Sequence, residues 1–303
     1  MHLTQQYHSR RNFLKASACL VGGATLSSFA PVFPASKEVQ VSAHLWVYAS
    51  KYPPDWDATP NLEQVFADLA RAGLEGLELM EVNLRHKDAV DNINRLVKKY
   101  HLPVTGTSYG AAMWNKKEHA KILKDITLVT DRLHQVGGST LGISVGDAGH
   151  RKTAAELDAQ ARLLTKIMQR CQAKQIVPNL HNHTYEVADN MHDLKGTLAR
   201  VPDIKLGPDL NWLIRGGVDP VAFIHAYGDK IVYLHIRDQE ANGTWTEAVG
   251  EGSTDFTAIA KALKKINFQG KAAIELAFDT PPKRSLEENW RMSRQFVEKT
   301  FGW

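Results

Sequence analysis

Eight short apolar runs alternate with segments of helical periodicity from residue 39 to the C-terminus, and this alternation is the strongest constraint on the fold. Short runs rich in Val, Ile and Leu are typical of strands that are buried on both faces. The predicted strands are residues 39–46, 74–80, 104–108, 140–145, 176–181, 204–209, 231–235 and 272–276. The predicted helices are residues 61–72, 87–100, 117–135, 154–173, 191–198, 220–226, 256–266 and 285–301.

Strands that alternate with helices form parallel α/β sheets, and eight such pairs without a linker favour closure into a single (β/α)8 TIM barrel. Residues 36–303 are enough for this barrel, which typically takes about 250 residues. A doubly wound open sheet is the alternative. It is disfavoured because no glycine-rich dinucleotide-binding motif follows the first strand, and Gly137-Gly138 is better explained as a helix C-cap.

The first 35 residues have the features of an export signal. The sequence SRRNFLK from Ser9 matches a twin-arginine motif, and a weakly apolar segment with small residues follows it up to Ala35. We therefore predict a twin-arginine signal peptide at residues 1–35, cleaved on export to the periplasm by the twin-arginine machinery. A basic helix retained on the mature protein is the alternative. The apolar segment is shorter than the about 20 residues that span a bilayer, so we expect no stable membrane anchor.

Charge and cysteine content exclude two further classes of protein. Loss of residues 1–35 removes Arg10, Arg11 and Lys15 and no acid, which lowers the formal net charge from +4 to +1. A nearly neutral chain lacks the basic face of a nucleic-acid-binding protein, so we predict no nucleic-acid partner. Cys171 is the one cysteine of residues 36–303, which rules out a disulfide framework there.

Titratable side chains stand where several of the predicted strands end. His181 and His183 follow the run IVPNL, and Asp209, His235 and Glu275 end the runs IKLGPD, IVYLH and AAIE. The carboxyl ends of the strands of a parallel barrel meet at one mouth, so these groups should converge there. Carboxylate oxygens and imidazole nitrogens suit Mn²⁺, Mg²⁺, Zn²⁺ or Co²⁺. The sequence therefore predicts a divalent-metal site at the mouth of the barrel.

Several motifs resemble those of the sugar phosphate isomerase/epimerase family, whose members are xylose isomerase-like barrels. They are AGLEGLEL with Glu78, HNHTYEV from His181, GPDLNW with Asp209 followed by GGVDP, YLHIRD with His235, GEGSTDF from Gly250, and AAIELA with Glu275. The resemblance covers nearly all of residues 36–303. It implies a divalent metal at the mouth of the barrel, held by Glu, Asp, His and Glu.

The resemblance assigns Asp209, His235 and Glu275 as the last three metal ligands. The first glutamate is replaced in this chain, which has the sequence HNH from His181 to His183. His181 is the preferred fourth ligand, and His183 is the alternative.

The replacement also affects the predicted proton transfer. Enzymes of this family move a proton beside a carbonyl with two metal-linked glutamates, of which only Glu275 remains here. His183, Glu186 or Glu78 is the candidate second acid or base. Glu186 can equally be a polar loop residue, and Glu78 can form a structural hydrogen bond below the site.

Location and chemistry together define the predicted function. A periplasmic enzyme rarely meets sugar phosphates, so we expect a metal-dependent isomerase or epimerase of a non-phosphorylated sugar or keto-sugar. A β-eliminating lyase or dehydratase of 3-keto-glycosides is the first alternative, because elimination begins with the same proton abstraction. A non-catalytic periplasmic sugar-binding protein is the second alternative.

Aromatic side chains near the strand ends are candidate contacts for a carbohydrate, because a sugar ring can stack on an aromatic face. They are Trp46, Tyr48, Tyr109, Trp114 and Trp212. Each of them can instead pack a loop. Arg237 lies on the same face of its strand as His235 and can contact a substrate hydroxyl, and Glu78 is a further candidate substrate contact.

Overall fold

Eight strands follow one another along the part of the chain that the computed structural model describes, residues 39–303. The predicted signal peptide at residues 1–35 lies outside the described residues. The strands are β1 (Gln40–His44), β2 (Leu77–Met80), β3 (Val104–Gly110), β4 (Thr140–Ser144), β5 (Val177–Leu180), β6 (Lys205–Leu206), β7 (Tyr233–Ile236) and β8 (Lys271–Ile274).

The strands form one parallel sheet that closes on itself. Neighbours in sequence pair from β1 to β6 and from β7 to β8, and β1 also pairs with β8. Between β6 and β7 the ring is completed by isolated parallel bridges, Leu206 with Ile231 and Asp209 with His235. The predicted (β/α)8 barrel is therefore confirmed, and the open doubly wound sheet is wrong.

The helices form the outer layer and bury one apolar stripe each. Within residues 39–303 they are α1 (Trp46–Ala49), α2 (Leu62–Arg71), α3 (Glu81–Arg85), α4 (Ala89–Tyr100), α5 (His119–Gln135), α6 (Ala154–Gln172), α7 (Thr184–Arg200), α8 (Leu210–Arg215), α9 (Pro220–Tyr227), α10 (Phe256–Lys265) and α11 (Leu286–Phe301). The side chains of Thr153, Asp219, Asp255 and Ser285 accept first-turn amides and fix where four of the helices begin. None of the helices in this part of the chain has the length and hydropathy needed to cross a bilayer.

Alternation along the strands separates two environments inside the molecule. Val41 and Ala43 of β1 belong to the apolar cluster shared with the helices. Ser42, between them, points into the barrel, where its hydroxyl lies 3.1 Å from the hydroxyl of Tyr233 on β7. The barrel interior is therefore partly polar.

The predicted helix at residues 191–198 is wrong in extent, because α7 begins at Thr184. The carboxylate of Glu186 accepts the backbone N–H of His183 at 2.6 Å, which caps a first turn directly after β5. His is not a usual N-cap residue, so no start signal for a helix is present there in the sequence. The backbone then leaves helical geometry at residues 188–191 before the helix resumes.

Short helices at the strand ends were not predicted. The predicted strand at residues 204–209 ends at Leu206, because Asp209 caps α8 by accepting the amides of Asn211 and Trp212. The predicted strand at 39–46 ends at His44, and Trp46 begins α1. Helices of four to six residues are too short to show a helical period in the sequence.

Candidate active site

Polar side chains from six strands converge at the carboxyl-terminal mouth of the barrel. They are His44 of β1, Glu78 of β2, His181 after β5, Asp209 after β6, His235 of β7 and Glu275 after β8. All of them are at most 8% exposed. The structure thus brings together the four predicted metal ligands, and it adds His44 and Glu78 beside them.

A chain of hydrogen bonds crosses the mouth through His235. Its Nε2 lies 2.7 Å from the carboxylate of Glu78, and its Nδ1 lies 2.8 Å from Nδ1 of His181. Burial disfavours the imidazolium, but the charge and hydrogen bond of Glu78 outweigh burial and raise the pKa of His235 to about 9. Burial and the neighbouring imidazoles lower the pKa of His181 well below its usual value, so His181 is neutral.

Arg237 joins two of the predicted ligands. Its Nε lies 3.0 Å from Oδ2 of Asp209, and its Nη2 contacts Oε1 of Glu275. Burial alone would raise the pKa of Glu275, but the charges of Arg237, His44 and His235 lower it to about 2. The carboxylate of Glu275 is therefore ionised.

His44 was not predicted, although it ends the first apolar run as the other site residues end theirs. Its Nδ1 accepts the backbone N–H of Trp46 at 3.2 Å and lies 3.6 Å from Oε2 of Glu275. Its Nε2 lies 3.0 Å from the hydroxyl of Ser108. An Nδ1 that accepts an amide proton places the ring proton on Nε2, so His44 donates to Ser108.

His183 and Glu186 lie beside this cluster and differ in accessibility. The ring of His183 is 37% exposed, and its Nδ1 lies 3.0 Å from the hydroxyl of Ser144. Glu186 is 4% exposed and accepts hydrogen bonds from Ser144 at 2.7 Å and from the amide of Val145 at 3.2 Å. Burial raises the pKa of Glu186 to about 8, although these hydrogen bonds favour its charged form. Of the two, only His183 lines the cavity at the mouth of the barrel.

A cavity of about 1210 Å³, part of it open to solvent, lies above the cluster. Its walls include seven residues that were predicted from the sequence, namely Trp46, Tyr109, His181, His183, Trp212, Arg237 and Glu275. They also include residues that were not predicted, namely His44, Trp56, Glu81, Ser144 and Trp245. Trp56 lies in a loop and carries no strand-end or periodic signal, which is why the sequence did not reveal it. Glu81 directly follows β2, where a strand-end signal was available.

Three predicted substrate contacts lie away from this cavity. Glu78 is 1% exposed and sits beneath His235. The indole N–H of Trp114 donates to the backbone carbonyl of Asp147 at 3.3 Å. The hydroxyl of Tyr48 donates to Asp68 at 3.2 Å, below the surface of the barrel. These three residues support the structure around the site in this conformation.

Two overlapping sets of side chains are candidates for holding a divalent cation. Among residues 39–303, only the set of His44, Glu78 and His235 has donor atoms, one from each residue, that all lie within 4.8 Å of one another. The predicted set consists of His181, Asp209, His235 and Glu275, and it shares His235 with the first.

Bonding favours the predicted set. Both ring nitrogens of His44 have polar partners, as do those of the shared His235. Oδ2 of Asp209, by contrast, is buried, and Nε of Arg237 lies 3.0 Å away without a well-directed hydrogen bond to it. Nε2 of His235 bonds to the carboxylate of Glu78. A carboxylate on one ring nitrogen is the usual support for an imidazole that binds a metal through its other nitrogen. The donor chemistry of His181, Asp209, His235 and Glu275 therefore fits Mn²⁺, Mg²⁺, Zn²⁺ or Co²⁺.

Comparisons with known proteins agree with the fold. The family model described as the xylose isomerase-like TIM barrel matches residues 66–299. Inosose dehydratase of Clostridium botulinum is 21% identical over an alignment of 279 residues, which covers 81% of this chain and 92% of that protein. A second inosose dehydratase, from Clostridium beijerinckii, is 20% identical, with 82% and 92% of the two chains covered.

Solved structures are similar in fold at low sequence identity. D-allulose 3-epimerase from Methylomonas sp. has a TM-score of 0.73 and 20% identity, with 87% of this chain and 98% of that chain covered. 3-keto-D-glucoside 4-epimerase from E. coli has a TM-score of 0.67 and 16% identity, with 86% and 100% covered. At these identities the likeness shows the architecture alone.

Proposed function

Because this chain belongs to the xylose isomerase-like TIM barrel family, we propose that it is a divalent-metal-dependent isomerase or epimerase of a non-phosphorylated sugar or keto-sugar. The observation that carries the proposal is the position of Glu275. Its ionised carboxylate lines the same cavity as the exposed ring of His183, beside the paired imidazoles of His181 and His235. A base and a second titratable group thus face one bound ligand.

Glu275 is the group that removes the proton beside the substrate carbonyl. Its contact with Arg237 keeps it ionised but also makes it a weak base, because the pKa is about 2. A substrate oxygen that accepts a hydrogen bond from Arg237 would weaken the contact of the guanidinium with Glu275. The pKa of Glu275 would then rise, and its carboxylate would become a stronger base. Substrate binding and activation of the base would then be one event.

His183 is the second acid or base in this proposal. Its Nδ1 is held by the hydroxyls of Ser144 and Tyr185, at 3.0 and 3.3 Å, which orients the ring towards the cavity. Glu186 holds the backbone of His183 at 2.6 Å, so it acts through His183 and has no direct role.

A divalent cation held by His181, Asp209, His235 and Glu275 would polarise the substrate carbonyl and stabilise the enediolate. The hydrogen bond from His235 to Glu78 fixes the orientation of the shared imidazole in that arrangement.

A β-eliminating lyase or dehydratase is the second candidate. Two observations favour it: the curated relatives are named inosose dehydratases, and Glu81 lines the cavity with a pKa that burial raises. A carboxyl with a raised pKa donates a proton to a departing hydroxyl or alkoxide more readily than one with an ordinary pKa.

Proton NMR of the metal-loaded protein in heavy water tests this proposal. A panel of ketoses and 3-keto-glycosides is followed for deuterium that enters beside the carbonyl. Exchange with a change of configuration or carbonyl position supports the isomerase or epimerase, and loss of water or of an aglycone supports the lyase. Binding of sugars without any exchange would contradict both and favour a binding protein.

We also propose that the protein acts in the periplasm as a cleaved chain of residues 36–303. The sequence SRRNFLK from Ser9 and the small residues near Ala35 support this location. A location outside the cytoplasm is in turn the reason to expect sugars without phosphate.

A further inference from the structure

One wall of the cavity is made by two tryptophans of the loop after β1. The rings of Trp46 and Trp56 lie 5.4 Å apart at an angle of 47°, and both line the cavity that contains His44 and Glu275. Trp56 is 37% exposed, which is unusual for the largest apolar side chain. The pair therefore forms an accessible aromatic surface that continues outward from the reacting centre.

The backbone at Trp56 is held in an unfavourable conformation. Its φ is +53°, in the left-handed region that bulky residues rarely adopt. The amide of Trp56 donates to the carbonyl of Tyr52 at 2.7 Å, and the neighbouring Asp57 is fixed by the amide of Thr59 and by His86. Strain that is maintained by surrounding bonds is concentrated at binding sites. Here it holds an exposed indole at the rim of the cavity.

The other two tryptophans of the cavity are already covered. The guanidinium of Arg215 lies 3.4 Å from the ring centre of Trp245, and Arg237 lies 5.5 Å from that of Trp212. Among residues 39–303, no cation and no other aromatic ring than its partner stacks on Trp46 or Trp56. Trp212 and Trp245 are thus covered by guanidinium groups, whereas Trp46 and Trp56, within the described part of the chain, contact neither a cation nor any ring but each other's.

Building on the function proposed above, we propose that Trp46 and Trp56 bind a second sugar ring, so that the substrate is a two-ring keto-glycoside and not a free monosaccharide. The C–H face of a pyranose stacks on an indole, and Glu81 in the same cavity can accept its hydroxyls. The amide of Trp46 donates to Nδ1 of His44 at 3.2 Å, and that nitrogen lies 3.6 Å from Oε2 of Glu275, so the platform adjoins the proposed base. The ring linked to the reacting sugar occupies the platform.

The test compares one-ring and two-ring probes in residues 36–303 loaded with Mn²⁺. The one-ring probe is 3-ketoglucose, and the two-ring probes are the 3-keto derivatives of cellobiose and maltose. For each probe, kcat/KM for deuterium exchange beside the carbonyl is measured in the unchanged protein and in Trp56→Ala. Tyr52→Ala is the matched control, because Tyr52 is 42% exposed in the same loop and lies outside the cavity walls.

We expect Trp56→Ala to lower kcat/KM about tenfold for at least one two-ring probe and less than twofold for 3-ketoglucose, with Tyr52→Ala near the unchanged protein for both. An equal loss for one-ring and two-ring probes would overturn the proposal, since Trp56 would then shape the whole site. Values of kcat/KM for the two-ring probes that Trp56→Ala leaves unchanged would also overturn the proposal.

Equilibrium binding separates this proposal from the proposed function. If none of the keto-sugars exchanges, the proposed function fails, and binding of unmodified cellobiose and maltose is measured by calorimetry. Binding that is at least fivefold weaker in Trp56→Ala than in Tyr52→Ala still supports the second-ring site. Absence of binding, or equal binding by the two variants, overturns it.

Discussion

Glu78 and His235 form a hydrogen bond of 2.7 Å that joins β2 to β7 across the interior of the barrel. Both side chains are at most 2% exposed. The bond fixes the imidazole of His235 so that its other nitrogen faces His181, 2.8 Å away. The orientation of His235, a proposed metal ligand, is therefore determined by a residue of a strand that does not neighbour β7.

Glu78→Gln should weaken metal binding about 10- to 100-fold, because it removes the charge that supports His235. Calorimetric titration of residues 36–303 with Mn²⁺ measures this. Glu75→Gln is the control, since Glu75 is an exposed acid of the preceding loop that pairs with Arg294 at 2.6 Å. An Mn²⁺ affinity of Glu78→Gln that matches the control would contradict the supporting role.

The same titration distinguishes the two sets of ligands. If His181, Asp209, His235 and Glu275 hold the metal, His181→Ala should abolish tight Mn²⁺ binding and His44→Ala should change the affinity only a few-fold. The reverse result would assign the metal to His44, Glu78 and His235.

Glu275→Gln should lower the exchange rate by roughly 10²- to 10⁴-fold, the usual contribution of a positioned base. The amide keeps the shape of the side chain but removes one of the two carboxylates that contact the buried Arg237, so the melting temperature should fall while the near-ultraviolet circular dichroism stays native. Deuterium exchange in heavy water is the measurement. Exchange at the normal rate would exclude Glu275 as the base.

The sequence was sufficient for the barrel because each strand and each long helix has its own periodic signal. It was also sufficient to bring His181, Asp209, His235 and Glu275 together, since the carboxyl ends of parallel strands meet at one mouth. The contact of Arg237 with two of those residues depends on the tilt of β7 relative to β6 and β8, which no local pattern contains.

Loop residues of the site were beyond prediction for a different reason. Trp56 lies twelve residues after the end of β1, and the loop that carries it is shaped by long-range bonds such as that of Asp57 with His86. Nothing in the sequence near Trp56 specifies such a bond. His44 and Glu81 are the exceptions, because His44 ends β1, Glu81 directly follows β2, and the strand-end rule would have found both.

Behind the site, Lys152 and Asp193 form a buried ion pair of 2.5 Å. Asp193→Ala should lower the free energy of unfolding by about 3–5 kcal/mol, because it leaves a buried ammonium without a countercharge. The double variant Lys152→Met/Asp193→Leu should recover most of that loss, since no charge remains buried. Urea unfolding measures both variants. A double variant that is less stable than Asp193→Ala would show that the pair itself is stabilising.

Export can be tested on the full chain. Replacing Arg10 and Arg11 with lysine should keep the protein in the cytoplasm of a bacterial host, whereas the unchanged chain should reach the periplasm and lose about 35 residues. Cell fractionation and intact-mass measurement give the two readouts. Periplasmic recovery of the double-lysine variant in equal amount would contradict the twin-arginine route.

Glu186 should make the stability of the protein depend on pH between about 5 and 8. Its pKa is raised to about 8 in the folded protein from an ordinary value of 4.5, so the folded state keeps a proton that the unfolded chain has released. The stabilisation is complete below pH 4.5 and is lost as the pH rises through 8.

Glu186→Gln lacks this titration because it is neutral at every pH. Relative to the variant, the unchanged protein should therefore lose roughly 1–3 kcal/mol of unfolding free energy between pH 5 and pH 8. This is less than the full shift implies, because the hydrogen bonds from Ser144, Val145 and His183 favour the carboxylate. Urea unfolding at the two pH values gives the difference. If the difference between the two proteins is the same at both, Glu186 is already ionised in the folded state at pH 5, and the three hydrogen bonds outweigh its burial.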